Sequence, residues 1–208
     1  MTKVNFVILA AGKGSRMRSA LPKVLHKLSG RSMLGHVVAA VESLGEAKKI
    51  IVTGHGAEQV EQQFKSPTTI FIQQKEQLGT GHAVHMAVPE LCSDAVVIVL
   101  YGDVPLIRPA TIQKILAVVT ESTMGLLTIN LDQPTGYGRI VRNTSGDITE
   151  IIEQKDASVE QLKITEVNTG VLALQSSQLS DWLPKITNNN AQGEYYLTDL
   201  VPIARKAG

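Results

Sequence analysis

A doubly wound α/β fold, built on a mostly parallel, twisted sheet with helices on both faces, is the architecture this sequence predicts. Three observations predict it. Apolar runs of strand length recur at Val4–Leu9, Ile50–Val52, Thr69–Ile72 and Ala95–Leu100, as strands buried on both faces require. Segments with helical spacing of apolar residues alternate with them, at Met33–Leu44, Ala57–Phe64, Gly81–Leu91 and Ala110–Thr120. Strand–helix alternation of this kind places ligands at the carboxyl ends of the strands.

From about Met124 the third observation enters, a change of pattern. Short strand-like pieces at Gly125–Asn130, Gly138–Arg142, Ile148–Glu153 and Asn168–Leu174 are separated by turn residues instead of long helices, and read as a small antiparallel, substrate-facing layer. Helical patterning returns at Ser177–Leu183 and Tyr195–Lys206. No repeat, low-complexity tract or interdomain linker interrupts the 208 residues, a length that suits one domain with a sizeable core.

Twenty Lys plus Arg stand against nineteen Asp plus Glu, a formal charge of +1, so no global field attracts nucleic acid or acidic membranes and any anion has to be bound locally. No apolar run reaches membrane-spanning length. The single cysteine, Cys92, cannot form an internal bridge, and Met1–Lys3 runs into a strand with no secretory apolar region, which together point to a reducing cytoplasm.

The first strand empties into LAAGKGSRM (Leu9–Met17), followed by Leu21-Pro22-Lys23-Val24-Leu25. Gly12 and Gly14 allow backbone amides to approach a ligand, while Lys13, Arg16 and Lys23 stand nearby as cations, a combination suited to a nucleoside triphosphate. Met17 occupies the place where a dinucleotide fingerprint needs its third glycine, and no P-loop spacing is present. A solvated basic turn is the structural alternative for the loop taken alone.

Agreement across the chain decides between them. LAAGKGSRM with LPKVL resembles the signature of sugar-1-phosphate nucleotidylyltransferases. EQLGTGHA (Glu76–Ala83), LYGDVPL (Leu100–Leu106), PTGYGRI (Pro134–Ile140), IIEQKDA (Ile151–Ala157), EVNTGV (Glu166–Val171) and NNNAQGEYYLTD (Asn188–Asp199) narrow the resemblance. It becomes a resemblance to the uridylyltransferase domain of bacterial bifunctional N-acetylglucosamine-1-phosphate uridylyltransferase/glucosamine-1-phosphate acetyltransferases, over nearly the whole chain. It implies a Rossmann-like nucleotide-diphospho-sugar transferase fold and Mg²⁺-dependent transfer from UTP to N-acetylglucosamine 1-phosphate. The products would be pyrophosphate and UDP-N-acetylglucosamine, a precursor for peptidoglycan and lipopolysaccharide. Such chemistry brings together mutually repelling anions, so cations and positioning carry it and no strong general base is needed.

The resemblance also implies roles. Leu9, Ala10, Ala11 and Gly12 would line the nucleotide; Arg16 would clamp the triphosphate and the leaving pyrophosphate; Lys23 would hold the phosphate nearer the sugar, with Lys13 assisting. Gln74, Gly79 and Thr80 would read the base. Tyr101, Gly102 and Asp103, at the end of a very apolar strand, would also line the nucleotide, and Asp103 would hold Mg²⁺. Gly138, Glu153 and Asn168 would contact the sugar, with Tyr196 and Thr198 completing that wall. Each has a structural alternative: a solvated charge for Lys23, a turn before a helix for Gly79-Thr80-Gly81, a cap for Asp103, a turn glycine for Gly138, and a surface pair with Lys155 for Glu153.

Other features read as structural. His26, His36, His55, His82 and His85 show no ligand spacing beyond a loose His82/His85 pair, so a zinc site is not expected. Cys92 reads as a small core residue and Trp182 as helix packing. Full chains of the family continue into an asparagine that shares the metal, then into a left-handed β-helix that carries acetyl transfer and homotrimer formation. Residues 1–208 are accordingly expected to be a nucleotidylyltransferase domain shortened at its carboxyl end and lacking acetyltransferase activity. Transfer to another sugar 1-phosphate, and an inactive sugar-nucleotide-binding fragment, are the competing readings.

Overall fold

Parallel pairing of four apolar strands organises the centre of the molecule. The structure is a computed structural model that describes residues 3–12, 14 and 17–207. Along the chain run β1 (Lys3–Ala10), the short hairpin β2 (Lys27–Leu28) and β3 (Arg31–Ser32), α1 (Met33–Glu42), β4 (Lys48–Thr53), α2 (Ala57–Phe64), β5 (Thr69–Gln73), α3 (Thr80–Ala87), β6 (Ala95–Tyr101) and α4 (Pro109–Ala117). Then follow β7 (Gly125–Asn130), β8 (Arg139–Arg142), β9 (Ile148–Ile152), β10 (Glu166–Gln175), α5 (Ser176–Trp182) and α6 (Leu200–Ala207).

Among the described residues, eight strands form one sheet in the order β5-β4-β1-β6-β10-β8-β9, with β7 also paired to β10. β1 is parallel to both neighbours, and its last turn-ward residues lie level with theirs: Leu9 is opposite Val52 on β4 and Tyr101 on β6. The period of two along each strand sorts its side chains onto two cores. Phe6, Ile8, Ile51, Ile98 and Leu100 meet Leu34, Val37 and Val41 of α1, Val60 of α2 and Ile112 of α4 on one face. Val7, Leu9, Ile50, Val52, Val97 and Val99 meet Ala83, Val84 and Ala87 of α3 and Leu179 of α5 on the other. Burying each of these large aliphatic side chains contributes about 1.5–3 kcal/mol before entropy is counted. Helices therefore cover both faces, as the apolar runs imply.

The antiparallel strands extend this sheet instead of stacking as a layer of their own. β10 is the bridge: Leu172–Gln175 pair antiparallel with β6, its first half touches β8, and β7 pairs with it on both sides of an irregularity. A register shift between Asn168 and Leu172 divides the two halves, and Gly170 within it has φ +86°. Ile140, Ile151 and Val201 form a small third cluster under the β8–β9 hairpin.

Two boundaries and one burial assignment differ from the sequence reading for physical reasons. Tyr195 is not helical, because its N–H donates to Leu78 O and its carbonyl accepts from Gly81 N, both at 2.8 Å; a 3₁₀ turn at Leu197–Asp199 and then α6 follow. The α3 helix gives way at Val88–Glu90 to a 3₁₀ turn that carries Pro89, a residue with no N–H to continue the ladder. Cys92 is only half-buried and belongs to none of the core clusters among the described residues, which corrects its assignment to the core. Trp182 packs against the second core as expected.

The turn after β4 holds the amino-terminal loop. A Cβ on Gly54 would overlap the Ala11 carbonyl oxygen and lie 2.9 Å from Ala11 Cα, so only glycine lets these two backbones touch. Gly54→Ala is expected to destabilise the protein by about 1–3 kcal/mol, read as a lower urea midpoint with an unchanged m-value.

Candidate active site

The level ends of β1 and β6, with the segment after β5, open onto one cavity of about 290 Å³. Leu9, Ala10, Ala11 and Gly12 form its floor as β1 runs out. Gly102 N–H donates to Leu9 O at 2.9 Å, which ties the end of β6 to the end of β1. Gly102 itself lies beneath the wall: a Cβ there would sit 3.2 Å from Leu34 Cδ1 and 3.2 Å from Val24 Cγ1. Its part is to let β6 settle on the core at the edge of the cavity.

Lys23 and Asp103 face each other across this floor, Nζ to Oδ2, at 2.6 Å. Lys23 opens a 3₁₀ turn, Lys23–Leu25, whose Val24 and Leu25 are buried anchors, so its charge is aimed by packing at its neighbours. A Cβ on Gly14 would lie 2.7 Å from Lys23 Cβ, which brings the glycine loop against the same lysine. Both side chains remain about a third exposed, 36% and 30%, so each stays reachable by an incoming anion or cation. No described backbone amide is capped by Asp103, which removes the capping alternative. Lys13 and Arg16, the other cations named from the sequence, lie outside the described residues.

Gln74, Gly79 and Thr80 form the opposite wall. Gln74 follows β5, is 3% exposed, and its N–H donates to Thr53 O at 2.7 Å. The Thr80 hydroxyl accepts from Leu197 N at 3.1 Å, which joins this wall to the carboxyl-terminal segment. Gln77, Val24, Ala83 and Glu194 also line the cavity, and the sequence reading did not single them out. Gln77 and Glu194 lie inside the EQLGTGHA and NNNAQGEYYLTD stretches, so the signal was present there without a role attached.

Beyond Tyr101 lies a second group. A Cβ on Gly170 would collide with the Tyr101 ring, so the left-handed backbone of Gly170 makes room for that ring. Asn168 N–H donates to Gly138 O at 2.9 Å and the Asn168 Oδ1 accepts from Gly170 N at 2.9 Å. Thr198 Oγ1 donates to Glu153 Oε1 at 3.3 Å. Gly138 is packed under the same carboxylate, since a Cβ there would fall 3.3 Å from Glu153 Oε1. Tyr196 is buried, and its hydroxyl accepts from Gln192 Nε2 at 2.8 Å. The structure thus gathers Gly138, Glu153, Asn168 and Thr198, and sets Tyr196 beside them. The alternative pairing of Glu153 with Lys155 is not made: Lys155 donates to Gln192 Oε1 at 2.9 Å instead.

Burial raises the Glu153 pKa above the ordinary carboxylate value; the Thr198 bond opposes the rise, and the charges of Asp156, Asp199 and Glu194 add to it. Burial, followed by the charges of Glu153 and Asp103, pushes the Tyr101 phenol far upward, so it stays neutral where the two halves of the site meet. Behind this wall Arg139 is 2% exposed, donates to the Tyr137 carbonyl and, at 3.0 Å, to Gln154 Oε1, and thereby fixes the turn before Gly138.

A small-residue floor at the carboxyl end of a doubly wound sheet, with a cation and a carboxylate above it and a polar wall alongside, has the chemistry to receive a nucleotide. The family model for the MobA-like NTP transferase domain matches residues 6–154, and the chain belongs to that family. It is 54% identical over 205 residues to the bifunctional protein GlmU of Cellvibrio japonicus (strain Ueda107), covering 99% of this chain and 45% of that one. It is 55% identical over the same length to the bifunctional protein GlmU of Burkholderia ambifaria (strain MC40-6). The chain thus spans about half the length of the curated relatives it matches. A structure of UDP-glucose pyrophosphorylase complexed with UDP-glucose superposes with a TM-score of 0.81 at 16% identity, over 100% of this chain and 88% of that one. A putative glucose-1-phosphate thymidylyltransferase from Bacillus anthracis gives 0.78 at 20%, over 99% and 84%. At such identities these two establish the fold alone.

Because the folded-state pKa of Glu153 is raised, its charged form costs stability above that pKa, and the cost is relieved as pH falls through it. Glu153→Gln is expected to raise the Tm at about pH 8, by about 2–4 °C for each kcal/mol released. The gain should shrink as pH drops towards the unperturbed value of 4.5, which thermal unfolding across that range will measure.

Proposed function

We propose that this chain transfers a uridylyl group from UTP to N-acetylglucosamine 1-phosphate, forming UDP-N-acetylglucosamine and releasing pyrophosphate. The observation that carries the reading is the adjacency of two groups of side chains: the cavity of Lys23, Asp103 and Gln74, and, across Tyr101, the wall of Glu153, Asn168 and Thr198. A nucleotide in the first and a sugar in the second would meet over the Lys23–Asp103 pair. The 54–55% identity to GlmU proteins over 99% of the chain supports the same choice of substrates.

In this reading an ionised oxygen of the sugar phosphate attacks the α-phosphorus of UTP, a new P–O bond forms, and the bond to the pyrophosphate oxygen breaks with its electron pair leaving on pyrophosphate. No proton needs to move. Lys23 exchanges its carboxylate partner for a phosphate oxygen, and Arg16, placed by the sequence resemblance, clamps the departing pyrophosphate. Leu9, Ala10, Ala11 and Gly12 let backbone approach the nucleotide. Glu153 and Thr198 pair with sugar hydroxyls, Asn168 and Gly138 shape the floor beneath, and Tyr196 closes the side.

Asp103 is the residue that would hold Mg²⁺, and the donor set fits: this ion takes one or two carboxylates and fills its shell with water and phosphate oxygens. Among the described residues no group of three His, Cys, Asp or Glu converges as a cage would require. When bound, the ion would neutralise phosphate charge. In a bacterial cytoplasm the product would supply peptidoglycan and lipopolysaccharide synthesis.

Pyrophosphate release from UTP with N-acetylglucosamine 1-phosphate and with glucose 1-phosphate tests the proposal. Preference for the N-acetyl sugar is expected, and equal turnover of both would reject it. Lys23→Ala should lower kcat/KM by about 10²–10³, the loss typical of one preorganised charge donor, and Asp103→Asn should abolish the response to added Mg²⁺.

A further inference from the structure

Gln74 is held through one end of its amide. Its Nε2 donates to Gly79 O at 3.1 Å and meets His82 Nδ1 at 3.0 Å. A carbonyl oxygen can only accept, so the atom facing Gly79 has to be the amide nitrogen, and the orientation does not depend on how oxygen and nitrogen are labelled. The Gly79 carbonyl is itself fixed, because it also accepts from Ala83 N at 3.1 Å in the first turn of α3. With both N–H groups of Gln74 engaged, His82 Nδ1 has to be the unprotonated nitrogen of its ring, and the proton sits on Nε2. The remaining polar atom of Gln74, Oε1, accepts from no described residue, and Gln74 lines the nucleotide cavity.

We propose that His82 is a positioning residue for base selection: as the Nε2-protonated tautomer it locks the Gln74 amide so that an acceptor alone faces the cavity, which admits a pyrimidine with a donating N3–H and rejects one whose N3 accepts. Uracil presents that donor. Cytosine presents a lone pair there and would leave two acceptors face to face in a buried site, with neither able to reach water. His82 touches no substrate in this scheme; it acts only through Gln74. A ring protonated on Nδ1 would donate to the amide oxygen and favour the flipped orientation, so the choice of base is stored in a tautomer one residue removed from the ligand. The inference rests on the uridylyl reading for the nucleotide that enters the cavity, and extends it to how that nucleotide is chosen.

Calorimetric titration with UTP and with CTP in the presence of magnesium tests it without requiring turnover. The unsubstituted protein should prefer UTP, and His82→Leu should lose about tenfold of that preference, the equivalent of one net hydrogen bond. His82→Asn, whose Oδ1 can accept where Nδ1 did, should keep it. A structural role for His82 would weaken both nucleotides alike. Unchanged base preference in His82→Leu overturns the proposal, as does equal affinity of the unsubstituted protein for UTP and CTP. Should the leucine variant not fold, ¹⁵N shifts of labelled His82 in the unsubstituted protein decide: protonation at Nε2 supports the lock and protonation at Nδ1 overturns it. Preference for UTP without pyrophosphate release would reject the transfer reading and leave the base lock standing.

Discussion

The register between the two central strands is the constraint on which the site depends. With Leu9 level with Tyr101, and Gly102 N–H tied to Leu9 O, the chain leaving β1 and the chain leaving β6 emerge side by side, and Asp103 is delivered to Lys23. A shift of one residue would turn every side chain of β1 to the other core. That is prevented by the two different packings, Phe6 and Ile8 against α1 on one face, Val7 and Leu9 against α3 on the other. The geometry of the charged pair is therefore fixed by apolar burial several residues away, and the Coulombic attraction of a pair still a third exposed is too screened to set it.

β10 extends the same logic to the second half of the site. Its far end is part of the parallel core through Leu172 and Leu174, and its near end carries Asn168 and Gly170 under Tyr101. One strand thus couples the cavity at the end of β1 to the polar wall, and the irregularity between Asn168 and Leu172 lets it serve both. The glycine there is needed for the aromatic ring above it, much as Gly54 is needed for the backbone of Ala11.

The parallel half of the fold was legible because its signals are local. Ala95–Leu100 is an unbroken apolar run and Val4–Leu9 is interrupted only by Asn5, and Ala57–Phe64 and Gly125–Asn130 match the observed elements end to end. Pairing partners were not legible. Nothing in Glu166–Gln175 announces that it inserts beside β6, so a single sheet reads as a sheet and a layer. The β2–β3 hairpin, two residues per strand, is below the length at which alternation can register. Tyr195 was drawn out of its helix by partners at positions 78 and 81, a pairing that no window of neighbouring residues contains.

At the site, motif resemblance outran local chemistry. Lys23, Gln74 and Asp103 are unremarkable charges and amides when read singly, yet the structure brings them to one cavity. Gly102, also named from the sequence, is packed against Leu34 and Val24 at the edge of that cavity. Gln192, Arg139 and Gly170 act behind the wall, through other residues; all three lie inside stretches that carry the resemblance, yet indirect contacts of this kind leave no role to read from the sequence. A crystal structure with UDP-N-acetylglucosamine and magnesium tests the central claim most directly. The account predicts the uracil against Gln74, the diphosphate beside Lys23 and Asp103, and the sugar against Glu153 and Thr198; density for the ligand in any other crevice, with these side chains still paired to one another, would contradict it.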